Sequence, residues 1–343
     1  MSKSKKEKEI SKEKLLEELE ANTKKTVLIF GVSSFIGSNL AEFLKKDYRV
    51  IGTYHKNSVR INGVLTIPCD VLAKEEVQLM FFAFKPDYVI YCAGISSIEE
   101  CHLKEEKADA LNTSGLFNVA EYCQRYKAQV CYLSSGFIFS GEKKNYFEMD
   151  IPDGFTTYGK TQAAAEFYIQ KTSLNYLIFR CCRLYGRSII PTRPTWFENL
   201  QRLLAKNKGA QMDDYIHTGF LDVYYLGMLI RMSFESGVSN RLFQVSSEDI
   251  GSLYQFAQNY GEVFNIAKDR FSKGRWPFPY HQSATTTSVE EQLYFKLDTA
   301  NIEGFLNVNL PSIRESIEFT YQRFGGTPGH KKVGGGGDGV KFI

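Results

Sequence analysis

Nowhere in the 343 residues does an apolar run reach the roughly 18 residues that a membrane-spanning helix needs, so no transmembrane segment is expected. The amino terminus, Met1-Ser2-Lys3-Ser4-Lys5-Lys6, carries charge with no apolar core behind it and does not read as a signal peptide. Neither sign of charge dominates: 42 Lys and Arg face 39 Asp and Glu, which argues against the concentrated positive surface of a nucleic-acid binder. There is no glycine period, and 26 Phe with 20 Tyr exclude a disordered or collagen-like chain. None of the seven cysteines (Cys69, Cys92, Cys101, Cys123, Cys131, Cys181 and Cys182) forms a CxxC pair. Several lie inside apolar runs, so a disulfide framework or zinc site is not expected; reduced buried thiols and a cytoplasmic location are. What remains is an ordinary soluble composition, large enough for one big domain or two sharing a cleft.

Residues 1–25 alternate Lys and Glu around Ile10, Leu15, Leu16 and Leu19, which predicts a solvated tail with a marginal helix near 11–20. Residues 325–343 are glycine-rich and expected to be a second flexible tail. Between them, short apolar runs alternate with helical patterns. Strands are predicted at 26–30, 48–53, 65–68, 88–92, 130–134 and 176–180, with helices over 37–46, 74–84, 105–126 and 157–171. Strands separated so regularly by helices call for a parallel sheet covered on both faces, and right-handed crossovers make it a doubly wound α/β Rossmann arrangement. Its ligand is expected beyond the carboxyl ends of the strands. After residue 186 the alternation degrades around Pro191, Pro194, Pro277 and Pro279. The expected domains are therefore 26–186 for the dinucleotide and 187–324 for a smaller substrate lobe, with some segments returning to the sheet.

The first strand runs into Gly31-Val32-Ser33-Ser34-Phe35-Ile36-Gly37. A glycine at the strand exit permits a sharp turn, and one in the first helical turn lets helix and sheet approach, leaving N–H groups free to hold a pyrophosphate. The second strand ends Gly52-Thr53-Tyr54-His55-Lys56-Asn57, with Arg60 beyond and no acid to bind ribose hydroxyls. Lys56, Arg60 and His55 would face a 2′-phosphate, with Tyr54 beside them as a further cofactor-binding candidate, so NADP(H) is expected over NAD(H). Asp70, with Val71 after the third strand, either contacts the adenine or caps the next helix.

Further motifs follow in order: Tyr91-Cys92-Ala93-Gly94, then Ala110-Leu111-Asn112-Thr113-Ser114-Gly115, then Leu133-Ser134-Ser135-Gly136-Phe137-Ile138-Phe139-Ser140-Gly141. After them come Thr157-Tyr158-Gly159-Lys160-Thr161 and Arg183-Leu184-Tyr185-Gly186. Together with the glycine turn, these resemble the extended short-chain dehydrogenase/reductase superfamily, and most closely its dTDP-4-dehydrorhamnose reductase (RmlD-like) branch, over about residues 26–324. The resemblance implies that Tyr158 is the acid/base at the substrate carbonyl, with Ser135 as its hydroxyl partner and Asn112 steadying the site through water. It also implies that Cys92, Ala93 and Gly94 line the cofactor. In that family a lysine four residues after the tyrosine binds the nicotinamide ribose and lowers the phenol's pKa; here the position is Gln162. Lys160 is about 200° around the helix from Tyr158 and cannot replace it. The middle glycine of the family's turn is likewise Ser34.

The resemblance implies an NADP(H)-dependent reductase of a 4-keto nucleotide-sugar feeding surface polysaccharide synthesis, impaired by the loss of the lysine. Two alternatives stand beside it. One is a catalytically weak nucleotide-binding regulatory protein, since a member of this branch is a regulatory subunit of methionine adenosyltransferase. The other is a nucleotide-sugar epimerase or dehydratase. The partners expected are the nucleotide-sugar substrate and, as an assembly, a homodimer. In the second lobe Arg193, Trp196, His217, Arg275 and Trp276 are the candidates for a nucleotide base or diphosphate. Arg183 and Tyr185 are expected to brace the junction of the lobes.

Overall fold

The computed structural model describes residues 24–173, 175–206, 208–275 and 292–324. Residues 1–23 of the charged tail, the Gly-rich tail and Trp276 lie outside them. In chain order the first half contains β1 (Thr26–Phe30), α1 (Phe35–Leu44), β2 (Arg49–Tyr54), β3 (Leu65–Pro68), α2 (Lys74–Phe84) and β4 (Tyr88–Tyr91). There follow α3 (Ile98–Leu103), α4 (Glu105–Asp109), a π-helical turn (Ala110–Ser114), α5 (Gly115–Tyr126), β5 (Gln129–Ser135), α6 (Thr157–Thr172) and β6 (Tyr176–Cys181).

The second half begins with β7 (Arg183–Tyr185), α7 (Trp196–Ala205), β8 (Ala210–Asp213), β9 (Ile216–Thr218), β10 (Phe220–Asp222) and α8 (Val223–Glu235). It ends with β11 (Arg241–Val245), α9 (Leu253–Val263), β12 (Phe271–Gly274), β13 (Leu293–Phe295), α10 (Ala300–Leu306) and α11 (Ile313–Arg323).

All five residues of β1 are buried, because successive side chains point to opposite faces and both faces are covered. Val27 and Ile29 join one apolar core with Leu40 of α1 and Leu226 of α8. Leu28 and Phe30 join the other with Val77 of α2, Leu116 of α5 and Ala165 of α6. The sheet is parallel and seven-stranded, in the order β11-β6-β5-β4-β1-β2-β3. The chain winds one way from β1 to β3 and the other way from β4 onward. The crevice between β1 and β4 is the topological switch point, where such sheets take their ligands.

The seventh strand, β11, comes from beyond residue 186 and pairs with β6, Phe243 opposite Phe179. The second lobe has its own core around Tyr185, Phe197, Phe220, Phe256, Tyr260 and Ile317. It is stitched by three parallel ladders, β7 with β10, β8 with β12 and β9 with β13. The single helix predicted over 105–126 is instead α4, the π turn and α5, preceded by the unforeseen α3. Apolar periodicity reports a buried face and is blind to a one-residue change of pitch.

Candidate active site

Gly31 leaves β1 with φ +87°, and a Cβ there would meet the Ala93 nitrogen at 2.5 Å, so only glycine lets the turn pass under the end of β4. A Cβ on Gly37 would meet the Gly31 carbonyl oxygen at 2.4 Å, which explains the second glycine. Ser34 is the N-cap of α1: its Oγ accepts from Gly37 N at 2.9 Å. The first amides of a helix have no intrahelical acceptor, and Phe35 and Ile36, the first residues of α1, line a cavity of about 530 Å³. Ser33 is outside that wall; its carbonyl accepts from Arg193 Nη1 at 3.3 Å, a contact reaching across from the second lobe.

Ser34, Phe35 and Ile36 line the cavity together with Cys92, Ala93, Gly94, Asn112, Ser135, Tyr158 and Gln162. Tyr158 is half-buried in the first turn of α6, which Thr156 caps by accepting from Gly159 N at 3.0 Å. Burial pushes the Tyr158 phenol up to about 12, and hydrogen bonding with the Ser135 hydroxyl pulls it partly back. Ser135 ends β5, and its Oγ also accepts from Phe137 N at 3.2 Å.

Asn112 is buried on the π turn and locked on three sides. Its Oδ1 accepts from Ile95 N at 2.8 Å, and its Nδ2 donates to Ile95 O and to Thr161 Oγ1, each at 3.1 Å. A Cβ on Gly94 would strike Asn112 Oδ1 at 2.4 Å. Asn112 therefore ties the loop after β4 to helix α6, one residue before Gln162.

Gln162 is buried, and its Oε1 accepts from the Tyr132 hydroxyl at 2.6 Å. Lys160 is exposed on the other side of α6. One turn beyond Gln162, Glu166 makes a bidentate buried ion pair with Arg180 of β6, its closest approach 2.8 Å, and this clamps the helix to the sheet.

The expected adenosine end lies outside the cavity wall, at the carboxyl ends of β2 and β3. Lys56 and Arg60 are exposed there, and Tyr54 is half-buried. His55 Nε2 is 3.6 Å from Asp70 Oδ2, so packing brings beside the basic loop an acid that the second strand lacks. Asp70 Oδ1 accepts from Leu72 N at 3.0 Å, turning the chain into α2. The Val71 side chain is buried against Gly115, where a Cβ would lie 2.7 Å from its Cγ2.

Of the second-lobe candidates, Trp196 lines the cavity, its Nε1 donating to Leu184 O at 3.4 Å. His217 and Arg275 are not part of that wall: His217 stacks on Tyr294, and Arg275 lies over Tyr215. The two junction residues separate. Tyr185 is fully buried, its hydroxyl 2.8 Å from Ser316 Oγ, whereas Arg183 lies over the Phe220 ring and also lines the cavity. Sequence reasoning missed Tyr132, whose alternate position on β5 marks it as buried but not as a partner of α6. It also missed Ser134, Phe137, Ile95 and Glu99, which are among the other residues of the wall. The cysteines are unpaired, and burial raises Cys92 and Cys182 to about 12, so neither is a thiolate near neutrality. Among the described residues there is no metal-ligating cluster and no helix long and apolar enough to cross a membrane.

A family model described as the RmlD substrate binding domain matches residues 25–325. The chain belongs to that family. Its fold is that of the dTDP-4-dehydrorhamnose reductase of Bacillus anthracis solved in complex with NADP: the TM-score is 0.73 at 19% identity, over 88% of this chain and 99% of that one. Methionine adenosyltransferase 2 subunit beta of Rattus norvegicus is 25% identical over 55% of this chain and 56% of its own length. The dTDP-4-dehydrorhamnose reductase of Aggregatibacter actinomycetemcomitans is 26% identical over 47% and 52%. The chain thus spans about half the length of the curated relatives it matches.

Proposed function

We propose that the protein reduces a 4-keto nucleotide-sugar with NADPH, in the service of polysaccharide synthesis. The observation that carries this reading is a cavity lined by Ser135 and Tyr158 together with Phe35 and Ile36 of the first turn of α1. A dinucleotide fits that arrangement: its pyrophosphate would take the amides at the start of α1, and its nicotinamide would lie between Ala93 and Tyr158. The bound cofactor supplies hydride. The chain's own residues supply the rest: Tyr158 gives its proton to the carbonyl oxygen, and the Ser135 hydroxyl donates a hydrogen bond to the same atom. Asn112 and the Glu166–Arg180 pair hold α6 in place for this geometry. The exposed Lys56 and Arg60 favour the 2′-phosphate, although Asp70 beside His55 moderates the preference.

The test is loss of NADPH absorbance on mixing purified protein with dTDP-4-keto-6-deoxy sugars; no loss from pH 6 to 10 would refute the proposal. Two observations favour a second reading, a regulatory protein that binds the dinucleotide without turnover: a neutral Gln162 stands where the family has a lysine, and a matched relative bears the name of a subunit. That reading expects NADPH to raise the melting temperature with no absorbance change.

A further inference from the structure

Between β7 and α7 the chain runs as a strap, residues 186–195, that meets the turn after β1 and its helix at three points. A Cβ on Gly186 would stand 3.7 Å from Phe35 Cζ. The Arg187 carbonyl accepts from Asn39 Nδ2 of α1 at 3.0 Å. Arg193 Nη1 donates to the Ser33 carbonyl at 3.3 Å. Bonds within the second lobe keep the strap in this course. Arg193 N donates to Ile190 O at 3.0 Å, and Thr195 Oγ1 to Gly186 O at 2.8 Å. Glu198 Oε2 accepts from the amides of Ser188 and Thr195 at 3.1 and 2.8 Å, and with Thr195 it forms the capping box of α7. A cation fixed in the second lobe is thus presented to the dinucleotide turn. The turn itself, Gly31 to Gly37, has no basic side chain to set against a doubly negative pyrophosphate. Arg183, the one basic side chain on the cavity wall among the described residues, lies instead over the Phe220 ring of β10. Arg193 is exposed and spends one N–H on a carbonyl oxygen, which leaves its charge and its other N–H groups for an anion.

We propose that Arg193 is a clasp for the pyrophosphate of the dinucleotide, carried by the second lobe, so that the bound cofactor fastens the two lobes together. This rests on the reading above that the cavity takes a dinucleotide, and it holds for a reductase and for a regulatory binder alike. The guanidinium is planar and permanently charged, a fork that can keep one N–H on the Ser33 carbonyl and give another to a phosphate oxygen. The contact is blind to the 2′-phosphate, because NADPH and NADH share the pyrophosphate; Lys56 and Arg60 act at the other end of the molecule. It also joins cofactor binding to the course of the strap. With a phosphate in place the 187–195 segment gains a charge-assisted bond to the first lobe, so its amides open less often.

Affinities are measured on the full chain, by calorimetry for NADPH, NADH and ADP-ribose and by NMR titration for adenosine 2′-monophosphate. Arg193→Ala is expected to weaken the three probes that contain a pyrophosphate by about 10-fold each. Adenosine 2′-monophosphate, which has none, should stay within about twofold of its wild-type affinity. Arg193→Gln keeps a donor for the Ser33 carbonyl and removes the charge, so it should show the same pattern should Arg193→Ala disturb the strap. Arg193→Lys keeps the charge without the fork and should recover part of the loss at low salt. Hydrogen exchange gives the second readout: NADPH should slow the 187–195 amides in the wild type by about tenfold and leave them unslowed in Arg193→Ala. Unchanged affinity for NADH and ADP-ribose in both neutral variants would overturn the clasp. So would a loss that extends equally to adenosine 2′-monophosphate, which would make Arg193 a strut of the fold. Either result leaves the dinucleotide reading standing, whereas a wild type that binds none of the pyrophosphate probes removes both.

Discussion

Tyr158 and Asn112 contribute to the site in different ways, and substitutions separate them. Tyr158→Phe keeps the ring and removes the proton, so reduction should fall by about 10²- to 10⁴-fold while NADPH affinity holds. Asn112→Ala strips partners from the Ile95 amide and from Thr161, both inside the fold. It should cost about 2 kcal/mol in denaturant unfolding, and it should lower kcat by loosening α6 against the loop after β4. At the adenosine end, Lys56→Ala combined with Arg60→Ala should raise the NADPH Kd about tenfold and leave that of NADH unchanged. An equal loss for both cofactors would remove the 2′-phosphate assignment. The roles of Ser135 and Tyr158 are suggested by ordered motifs in the sequence. What Gln162 touches is not, because Tyr132 lies 30 positions away on another element.

Helix α6 is held by burial and by one ion pair rather than by a strong apolar stripe. Glu166 and Arg180 are both almost fully buried, so Glu166→Gln would leave a guanidinium charge without its counter-charge. It should cost about 3 kcal/mol or more and reduce activity through the displaced Tyr158, as thermal unfolding and steady-state rates would show. The opposite sign is expected where a helix stops. Lys127 ends α5 with φ +58°, a left-handed conformation that costs a side-chain-bearing residue energy. Lys127→Gly should therefore stabilise the fold by about 1 kcal/mol. The six first strands and most helices were readable from apolar runs, since both faces of the sheet are buried and β-branched runs mark its strands. The break of 98–126 into α3, α4, the π turn and α5 was not. The extra residue in the π turn is accommodated where Asn112 meets Ile95, a contact between elements that no window of sequence contains.

For the molecule as a whole, the two lobes share a chain that leaves the sheet after β6 and returns to it in β11. Dinucleotide binding at the crevice between β1 and β4 should stabilise this unit by about 2.7 kcal/mol at a concentration 100 times Kd, visible as a rise in melting temperature. The doubly wound class, the glycine turn and the family resemblance were present in the sequence because they rest on local features: the alternation of buried strands with helices, a turn only glycine can make, and motifs in fixed order. The second lobe resisted the same reading. Its ladders join Arg183 to Phe220, Ala210 to Phe271 and Ile216 to Leu293, pairings of short segments far apart in the chain. Long-range packing also set Asp70 beside His55, placed Arg183 on the cavity wall and bonded Tyr132 to Gln162. Propensity and spacing are properties of neighbours along the chain, whereas these contacts arise only when distant elements are pressed together by burial.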